Sequence, residues 1–397
     1  MRKRSGVEGR SSTLAVEHSS LPARWRKHDE SLLVLQGGGA LGAYQAGAYA
    51  ALAEAGMEPN WVTGVSIGAI NASLIAGNAA NVRVQRLGEF WQRVSRFSPP
   101  PLPQALESLR ATMNGMSAAS AFLFGVPGFF DPRPLPPFFA PEGTPGALSF
   151  YDTSPLKATL EELVDFDLIN RREMRLSLGA VNLRNGNSTY FDNSRTRIGP
   201  EHVMASGALP PGFPPVSIGG ELYWDGGIVS NSPLTYVFDE KPRMDAFIVQ
   251  VDVFSGAGRL PSNLAQVQER AKDIQYASKT RFNTDRIKQV EAMRDALSRV
   301  LDRLPASLRN DPDVQALRSA STRGKVSLVH LINRHAVRSS QYKDCEFSRA
   351  TVTDLWNAGQ SDVQRLLKQP EGVRVTEMGE CLSVYDFLDH QQRVGHE

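Results

Sequence analysis

The sequence predicts an α/β fold with a mostly parallel central sheet, followed by a mainly helical C-terminal extension. Short apolar runs alternate with helix-like segments from Ser31 onwards, and this alternation is typical of parallel α/β sheets. The first two runs, LLVLQ (32–36) and WVTGVS (61–66), each lead into a helix of small residues. After Phe254 the chain becomes strongly charged, with apolar residues at helical spacing, which indicates the extension.

The other elements follow in chain order. Residues 1–30 are basic and lack an apolar segment, which is typical of a disordered leader. Two helices are predicted over about 40–55 and 67–80, directly after the first two strands. Later strands are predicted at 175–183, 188–192, 221–225, 246–254 and 325–333, and later helices at 264–304 and 349–368. The helix over 264–304 is expected to dock one face on the body of the protein. A homo-oligomer formed through the C-terminal helices stays open as the alternative.

A proline- and phenylalanine-rich segment, residues 98–146, interrupts the pattern. Its many prolines exclude a long helix or a central strand. A long loop of this kind in a compact domain commonly forms a lid or a binding loop. We therefore predict a lid-like insertion within a domain that spans 31–255, with 256–397 as the extension. The alternative is that its aromatic pairs, Phe129-Phe130 and Phe138-Phe139, pack inside.

The bulk composition narrows the function classes. The chain has 397 residues, 41% of them hydrophobic, so it can bury a sizeable core. Its net charge of +2 implies no polyanion, and nucleic acid is not an expected partner. Cys345 and Cys381 lie far apart without metal-ligand spacing, so no disulfide framework or metal site is expected. Residues 1–30 lack the apolar core of a signal peptide, which favours the cytoplasm, with peripheral membrane contact left open.

A serine motif follows the second strand. Gly64-Val65-Ser66-Ile67-Gly68 is a G-x-S-x-G, the pattern of a nucleophilic serine on a sharp strand-to-helix turn. The two glycines leave room for the neighbouring strand and helix. The helix that follows points its N-terminus at the serine and favours developing negative charge there.

The first glycine motif, Gly37–Gly42, matches the G-x-G-x-x-G of dinucleotide sites. Such a site needs an acidic residue at the end of the second strand. Here that strand ends in Ser66, and the nearest acid, Glu58, precedes the strand. The amides of Gly38 and Gly39 can instead hold the oxyanion of an acyl-transfer intermediate. We therefore interpret this turn as an oxyanion loop rather than a cofactor site.

A nucleophilic serine also needs a base. Asp225 ends a predicted strand and precedes two glycines, at the edge where open α/β sheets place their sites. Its ordinary pKa of about 3.9 makes it a weak base unless the site is partly dehydrated. A triad of the α/β-hydrolase type, with Asp225 followed by His330 or His335, stays open because the chain order allows it.

The three motifs in this order resemble those of the patatin-like phospholipase family. The resemblance covers about residues 32–254, including AINA (69–72), ASGALP (205–210) and FPPV (213–216). It implies a three-layer patatin-like fold and a Ser-Asp dyad, with Ser66 as nucleophile, Asp225 as proton acceptor, and neither metal nor organic cofactor. It also implies an oxyanion hole at Gly37, Gly38, Gly39 and Gly42, with motif support from Gly64, Gly68, Gly226 and Gly227.

Two residues depart from the family pattern. Leu41 stands where many members carry Arg or Lys, so the loop lacks a positive charge, and Gln36 stands where an acid or Asn is common. We expect a serine acyl-ester hydrolase that acts on lipid-like or other acyl esters. The rival hypotheses are a non-catalytic module that binds lipid or a partner on the same scaffold, a dinucleotide oxidoreductase, and a His-containing esterase.

Overall fold

The structure is a computed structural model that describes residues 20–95, 117–240, 245–321, 324–334, 343–368 and 382–386, without the side chains of 278–283 and 386. Its strands in chain order are β1 (Glu30–Leu35), β2 (Trp61–Val65), β3 (Asp131–Pro132), β4 (Tyr151–Asp152), β5 (Arg175–Asn182), β6 (Ser188–Asp192), β7 (Val216–Ile218), β8 (Glu221–Asp225), β9 (Ala246–Asp252), β10 (Val326–Ile332) and β11 (Leu382–Asp386). Its helices are α1 (Leu21–Lys27), α2 (Gly42–Glu54), α3 (Ile67–Ala76), α4 (Arg83–Val94), α5 (117–124), α6 (Ser154–Leu163), α7 (Phe166–Asn170), α8 (Pro200–Ser206), α9 (Leu234–Asp239), α10 (Leu264–Asp302), α11 (Pro312–Ser321) and α12 (Arg349–Lys368).

A mostly parallel sheet organises these elements. Within the described residues it has nine strands in the order β11-β10-β9-β1-β2-β5-β8-β7, with β6 paired to β5. The strands from β11 to β5 run parallel, whereas β6, β7 and β8 pair antiparallel. β3 and β4 form a separate two-stranded hairpin. The predicted α/β class with a mostly parallel sheet and a mainly helical C-terminal part is confirmed.

Both faces of the sheet are covered, which gives three layers. Alternate residues of a strand point to opposite faces. Leu33 and Leu35 of β1 therefore join the core beneath α2, α3, α4 and α12, whereas Leu32 and Val34 join a second core with α9 and Ile287 of α10. The near-continuous burial of β1, β2 and β9 is the pattern expected for parallel strands packed on both sides.

The C-terminal part shares this sheet and this core. β10 pairs with β9 in parallel, and β11 pairs with β10. On one face α12 packs along α2, where the Tyr44 hydroxyl donates to Asp362 Oδ2 at 2.7 Å. The segment after residue 255 therefore continues the architecture of the preceding part instead of forming an appendage.

The predicted disordered leader extends too far along the chain. Residues 1–19 lie outside the described part, but Leu21–Lys27 is helical, and Leu21 and Trp25 are buried. The Trp25 indole donates to the carbonyl of Glu58 at 2.9 Å. Two apolar residues one helical turn apart anchor this segment, a signal that the basic composition obscured.

Helix α10 docks on the body of the protein, but only some of its regularly spaced apolar residues face inward. Ile287 and Leu301 are buried, whereas Val290, Met293 and Val300 are exposed. The helix alternates apolar and charged residues with little net amphipathicity, so the spacing of its apolar residues identified the helix but not its buried face.

No helix among the described residues is long and apolar enough to cross a membrane.

The proline-rich insertion is described from residue 117 onwards. It contains α5, the β3–β4 hairpin and short 3₁₀ turns, without a long helix or a central strand in its described part. Its two aromatic pairs behave differently. Phe129 and Phe130 are buried, whereas Phe138 and Phe139 are 83% and 74% exposed.

Candidate functional site

Ser66 occupies a strained turn between β2 and α3. Its φ of +57° and ψ of −126° lie in a region that residues with a Cβ rarely adopt. A Cβ on Gly64 would strike the carbonyl of Gly68, and one on Gly68 would strike the carbonyl of Leu35. The turn is therefore possible only with glycine at both flanking positions, as the G-x-S-x-G spacing predicted.

Ser206, at the end of α8, holds this turn in place. The Ser66 amide donates to both the carbonyl and the hydroxyl of Ser206, each at 3.1 Å. The Ser206 hydroxyl in turn donates to the carbonyl of Gly179 at 2.6 Å. The strained backbone is thus tied to β5 through one buried serine. In the sequence, Ser206 appeared only as part of the ASGALP match, without a role.

Asp225 lies beside Ser66 because of strand register. Val65 of β2 pairs with Gly179 of β5, and Asp225 of β8 pairs with Ala180 on the other side of β5. The sequence prediction placed Asp225 here by a rule for the carboxyl ends of open α/β sheets. That rule concerns parallel strands, whereas β8 runs antiparallel to β5. Asp225 lies beside Ser66 because the short strand β8 ends opposite Ala180 of β5.

The Asp225 carboxylate is buried, 2% exposed, and lies beside the Ser66 side chain. The Gly227 amide donates a hydrogen bond to its Oδ1 at 2.7 Å. Burial raises the pKa of Asp225 to about 6, although the Ser66 side chain and the Gly227 amide act in the opposite direction. The partly dehydrated environment that an aspartate base requires is present here.

The glycine turn after β1 faces the same space. The Gly37 amide donates to the carbonyl of Asn231 at 3.1 Å, and Asn231 Nδ2 donates back to the carbonyl of Gly37 at 2.9 Å. The Ala40 amide donates to the carbonyl of Asp344 at 2.8 Å. Between these anchors, the amides of Gly38 and Gly39 donate to no acceptor in the described part of the chain. Both residues line the same cavity as Ser66.

Gln36 anchors the start of this turn. Its Oε1 accepts hydrogen bonds from the amides of Val253 and Phe254, at 2.7 and 3.1 Å. Its own carbonyl accepts from Gln45 Nε2 at 2.7 Å. The neutral amide of Gln36 therefore joins the turn to the chain that leaves β9.

An apolar cavity of about 280 Å³ contains these groups. Its walls are mainly aromatic and aliphatic, and the lining residues used below are Gly38, Gly39, Ser66, Phe122, Phe130, Tyr151, Leu209, Phe213, Asp225, Asn231, Tyr276, Asp344, Cys345 and Phe347. Among the described residues that line it, no side chain is a lysine, arginine or histidine. Leu41, which stands where many members of the resembling family carry Arg or Lys, is buried in the core and does not line the cavity.

Residues 33–238, more than half of the chain, match the model of the family described as patatin-like phospholipase. The chain belongs to the patatin-like phospholipase family. A second family model, described as patatin phospholipase, matches residues 274–378. Among solved structures, VipD from Legionella pneumophila is similar with 14% identity and a TM-score of 0.33, over 86% of this chain and 67% of VipD. No curated protein matches the sequence.

The C-terminal part of this patatin-like protein contributes one wall of the cavity. Tyr276 of α10 and the segment Asp344, Cys345 and Phe347 all line it. Asp344 pairs with Lys272 at 2.7 Å, and burial raises the pKa of the Cys345 thiol to about 12. This wall could not be predicted from the sequence, because these residues have no motif spacing and lie far from the glycine motifs along the chain.

Gly42 does not join the cavity, although the resemblance grouped it with the oxyanion hole. It begins α2, and a Cβ there would crowd Ile67 and Trp91. Its small size lets α2 pack closely against α3 and α4. Gly226 likewise lies against the carbonyl of Gly179, whereas Gly227 lines the cavity.

Of the two histidines considered for a triad, the one that the structure describes is not brought to Ser66. His330 is a buried residue of β10 and does not line the cavity. His335 lies outside the described residues. His202 accepts a hydrogen bond from the amide of Gly199 at the start of α8, and burial lowers the pKa of its imidazole. Its position identifies it as part of the helix start.

Proposed function

We propose that this protein is a serine acyl-ester hydrolase of lipid-like esters. The observation that carries the proposal is that the strained Ser66 and the buried Asp225 line the same apolar cavity side by side. Membership of a family of lipid acyl hydrolases supports the reaction class. Ser66 is the nucleophile, and Asp225 is its proton acceptor.

In the acylation step, Ser66 Oγ attacks the acyl carbonyl carbon while its proton moves to Asp225. The oxyanion that forms accepts hydrogen bonds from the amides of Gly38 and Gly39, next to the N-terminus of α3. The C–O bond of the ester then breaks, and the leaving alkoxide takes the proton from Asp225. An acyl-serine remains, and the alcohol departs.

Deacylation repeats these roles with water. Asp225 accepts a proton from a water molecule that attacks the acyl-serine, and it returns that proton to Ser66 as the acid leaves. With a pKa raised to about 6, Asp225 is a stronger base than an exposed aspartate and is still mostly ionised at neutral pH. A single carboxylate can therefore serve both half-reactions.

The lining of the cavity supports an apolar acyl group as the part of the substrate that is recognised. Aromatic surface is provided by Phe130, Tyr151, Phe213 and Phe347. The carboxylates of Asp225 and Asp344 disfavour a negatively charged group in the cavity. Because the described lining has no cation, we propose that the protein does not select an anionic headgroup. Glycerolipids, phospholipids, thioesters and hydroxyacyl esters all carry an acyl group of this kind and are candidate substrates.

Labelling with a fluorophosphonate tests the proposal. We expect the wild-type protein to be labelled at Ser66, as mapped by peptide mass spectrometry, and Ser66→Ala to remain unlabelled. His330→Gln is the matched control: it should be labelled at the wild-type rate, because the proposed dyad does not use a histidine. If well-folded wild-type protein is not labelled, the non-catalytic binding module becomes the better hypothesis. A large loss of labelling in His330→Gln would favour the His-containing esterase.

A further inference from the structure

Several large apolar side chains are exposed at one place on the molecule. Five of them, four from the proline-rich insertion and one just after it, define what we call the mouth patch: Leu123, Phe124, Phe138, Phe139 and Phe150. Their exposed fractions are 68%, 63%, 83%, 74% and 39%. Scattered apolar residues are common on protein surfaces, but an aromatic cluster within 28 positions of one segment (123–150) is the kind of surface that marks an interaction site.

The mouth patch is continuous with the cavity of Ser66. Phe122, next to Leu123, lines the cavity and is 44% exposed. The hydroxyl of Tyr151 donates to the carbonyl of Phe122 at 3.0 Å, and the ring of Phe150 contacts that of Phe138 with centroids 5.9 Å apart.

The backbone connects the same two surfaces. The amides of Phe150 and Tyr151 donate to the carbonyls of Pro211 and Gly212, at 3.2 and 3.0 Å, and both acceptor residues line the cavity. Leu209, 41% exposed, also lines it. One apolar surface therefore runs from solvent to the reacting serine.

The charged residues near the mouth patch indicate which kind of lipid surface the patch binds. Between residues 117 and 150 the charged side chains are Asp131, Arg133 and Glu142. The Arg133 guanidinium is directed at the Ser149 hydroxyl, at 3.1 Å, while both carboxylates belong to exposed residues. A basic cluster that would attract anionic lipid is lacking in this segment. The patch matches a surface without net charge.

We propose that the mouth patch docks the protein on a zwitterionic lipid layer, so that an acyl chain enters the cavity without crossing water. The role given to this docking, delivery of substrate, rests on the proposed function. Vesicle binding itself can be measured without catalysis. An ester held in a lipid layer exposes its apolar chain to water if it must diffuse to a distant site, which is unfavourable. Aromatic and aliphatic side chains that enter the interface at the mouth remove that step.

The test is co-sedimentation with phosphatidylcholine vesicles. We expect wild-type protein to bind, and the double variant Phe138→Gln, Phe139→Gln to bind at least about tenfold more weakly, since each ring loses its burial in lipid. Neither residue lines the cavity. The matched control is Met293→Gln, Val300→Gln, which removes two exposed apolar side chains from α10, roughly 25 Å or more along the helix from Tyr276. The control should bind as the wild type does.

Two further readouts keep the outcomes distinct. Hydrolysis of a soluble short-chain ester should be equal in all three proteins, whereas hydrolysis of vesicle-borne ester should fall in the Phe138, Phe139 variant. Adding phosphatidylglycerol should change wild-type binding by less than about twofold. Absence of wild-type binding, equal binding by both double variants, or strong dependence on anionic lipid would overturn the proposal. Vesicle binding without any ester hydrolysis would leave the docking surface standing and would count against the hydrolase.

Discussion

At the scale of single residues, Asp225 is both buried and charged, and this combination lowers the free energy of unfolding. Burial raises its pKa above the value in the unfolded chain, so the ionised form is less favourable in the folded state. The contribution of this group to stability is present below pH about 3.9 and is lost as pH rises through about 6. The buried charge of Asp225 therefore destabilises the protein at neutral pH.

Asp225→Asn should consequently stabilise the protein. The neutral amide can still accept the hydrogen bond from Gly227, and it does not carry the buried charge. We expect the free energy of unfolding at pH 7.5 to rise by about 1–3 kcal/mol in urea denaturation. The gain should disappear near pH 4, where the wild-type carboxyl is protonated. A loss of stability at pH 7.5 would show that Asp225 is not a destabilising charge.

Asn231 is the residue that fixes Gly37, and no sequence motif singled it out. Asn231→Ala removes the hydrogen bond from Nδ2 to the carbonyl of Gly37, so the amides of Gly38 and Gly39 should be less well placed for the oxyanion. We expect kcat to fall about 10²-fold with a small change in KM. Asn78→Ala, which removes a buried asparagine bonded to the carbonyls of Leu74 and Leu163, is the control and should retain kcat. Equal effects would indicate general destabilisation.

At the scale of elements, α10 and the segment before α12 meet the glycine turn. Lys272 of α10 pairs with Asp344, and the carbonyl of Asp344 accepts the hydrogen bond from Ala40. The turn that presents Gly38 and Gly39 is thus held by Asn231 on one side and by the C-terminal part on the other. We interpret Lys272 as a positioning residue, since it does not line the cavity.

Lys272→Met should lower kcat about tenfold, because release of Asp344 loosens the turn, while the KM for a soluble ester changes little. Lys157→Met is a suitable control, since its ion pair with Glu161 is exposed on α6. Steady-state kinetics and urea denaturation of both variants separate positioning from stability. An unchanged kcat in Lys272→Met would contradict the positioning role.

At the scale of the whole molecule, the C-terminal part is integral to the core. β10 covers the edge of β9, α12 covers α2, and residues of both join the large buried cluster of the core. A fragment that ends at residue 255 would expose this surface to water. We expect the fragment to aggregate or to lack a cooperative unfolding transition, as checked by size-exclusion chromatography and circular dichroism. A monomeric, folded fragment that labels with fluorophosphonate would show that the first part folds alone.

The sequence predicted most of the sheet and its helices because their signals are local. Strand runs, helical spacing and the G-x-S-x-G pattern all depend on neighbouring residues, and the observed strands β1, β2, β5, β6, β8 and β9 lie where the pattern placed them. Ser66 and Asp225, named from motifs and resemblance, are adjacent in space. The antiparallel direction of β8 was missed, since it depends on register with β5.

What the sequence could not predict depends on contacts between distant parts of the chain. Asn231, Ser206 and the Asp344 carbonyl have roles that exist only after folding, because each meets a backbone group from another element. The two aromatic pairs of the insertion have identical composition, yet only Phe129-Phe130 finds partners inside. Oligomerisation through the C-terminal helices stays a prediction.

The pH dependence of fluorophosphonate labelling at Ser66 tests the central claim most directly. If Asp225 is the proton acceptor with a pKa of about 6, the second-order labelling rate should be about tenfold lower at pH 5 than at pH 7.5. Asp225→Asn should react at least about 10²-fold more slowly at pH 7.5 and show no such dependence. A wild-type rate that is flat between these pH values, or an Asp225→Asn rate equal to that of wild type, would contradict the Ser66–Asp225 dyad.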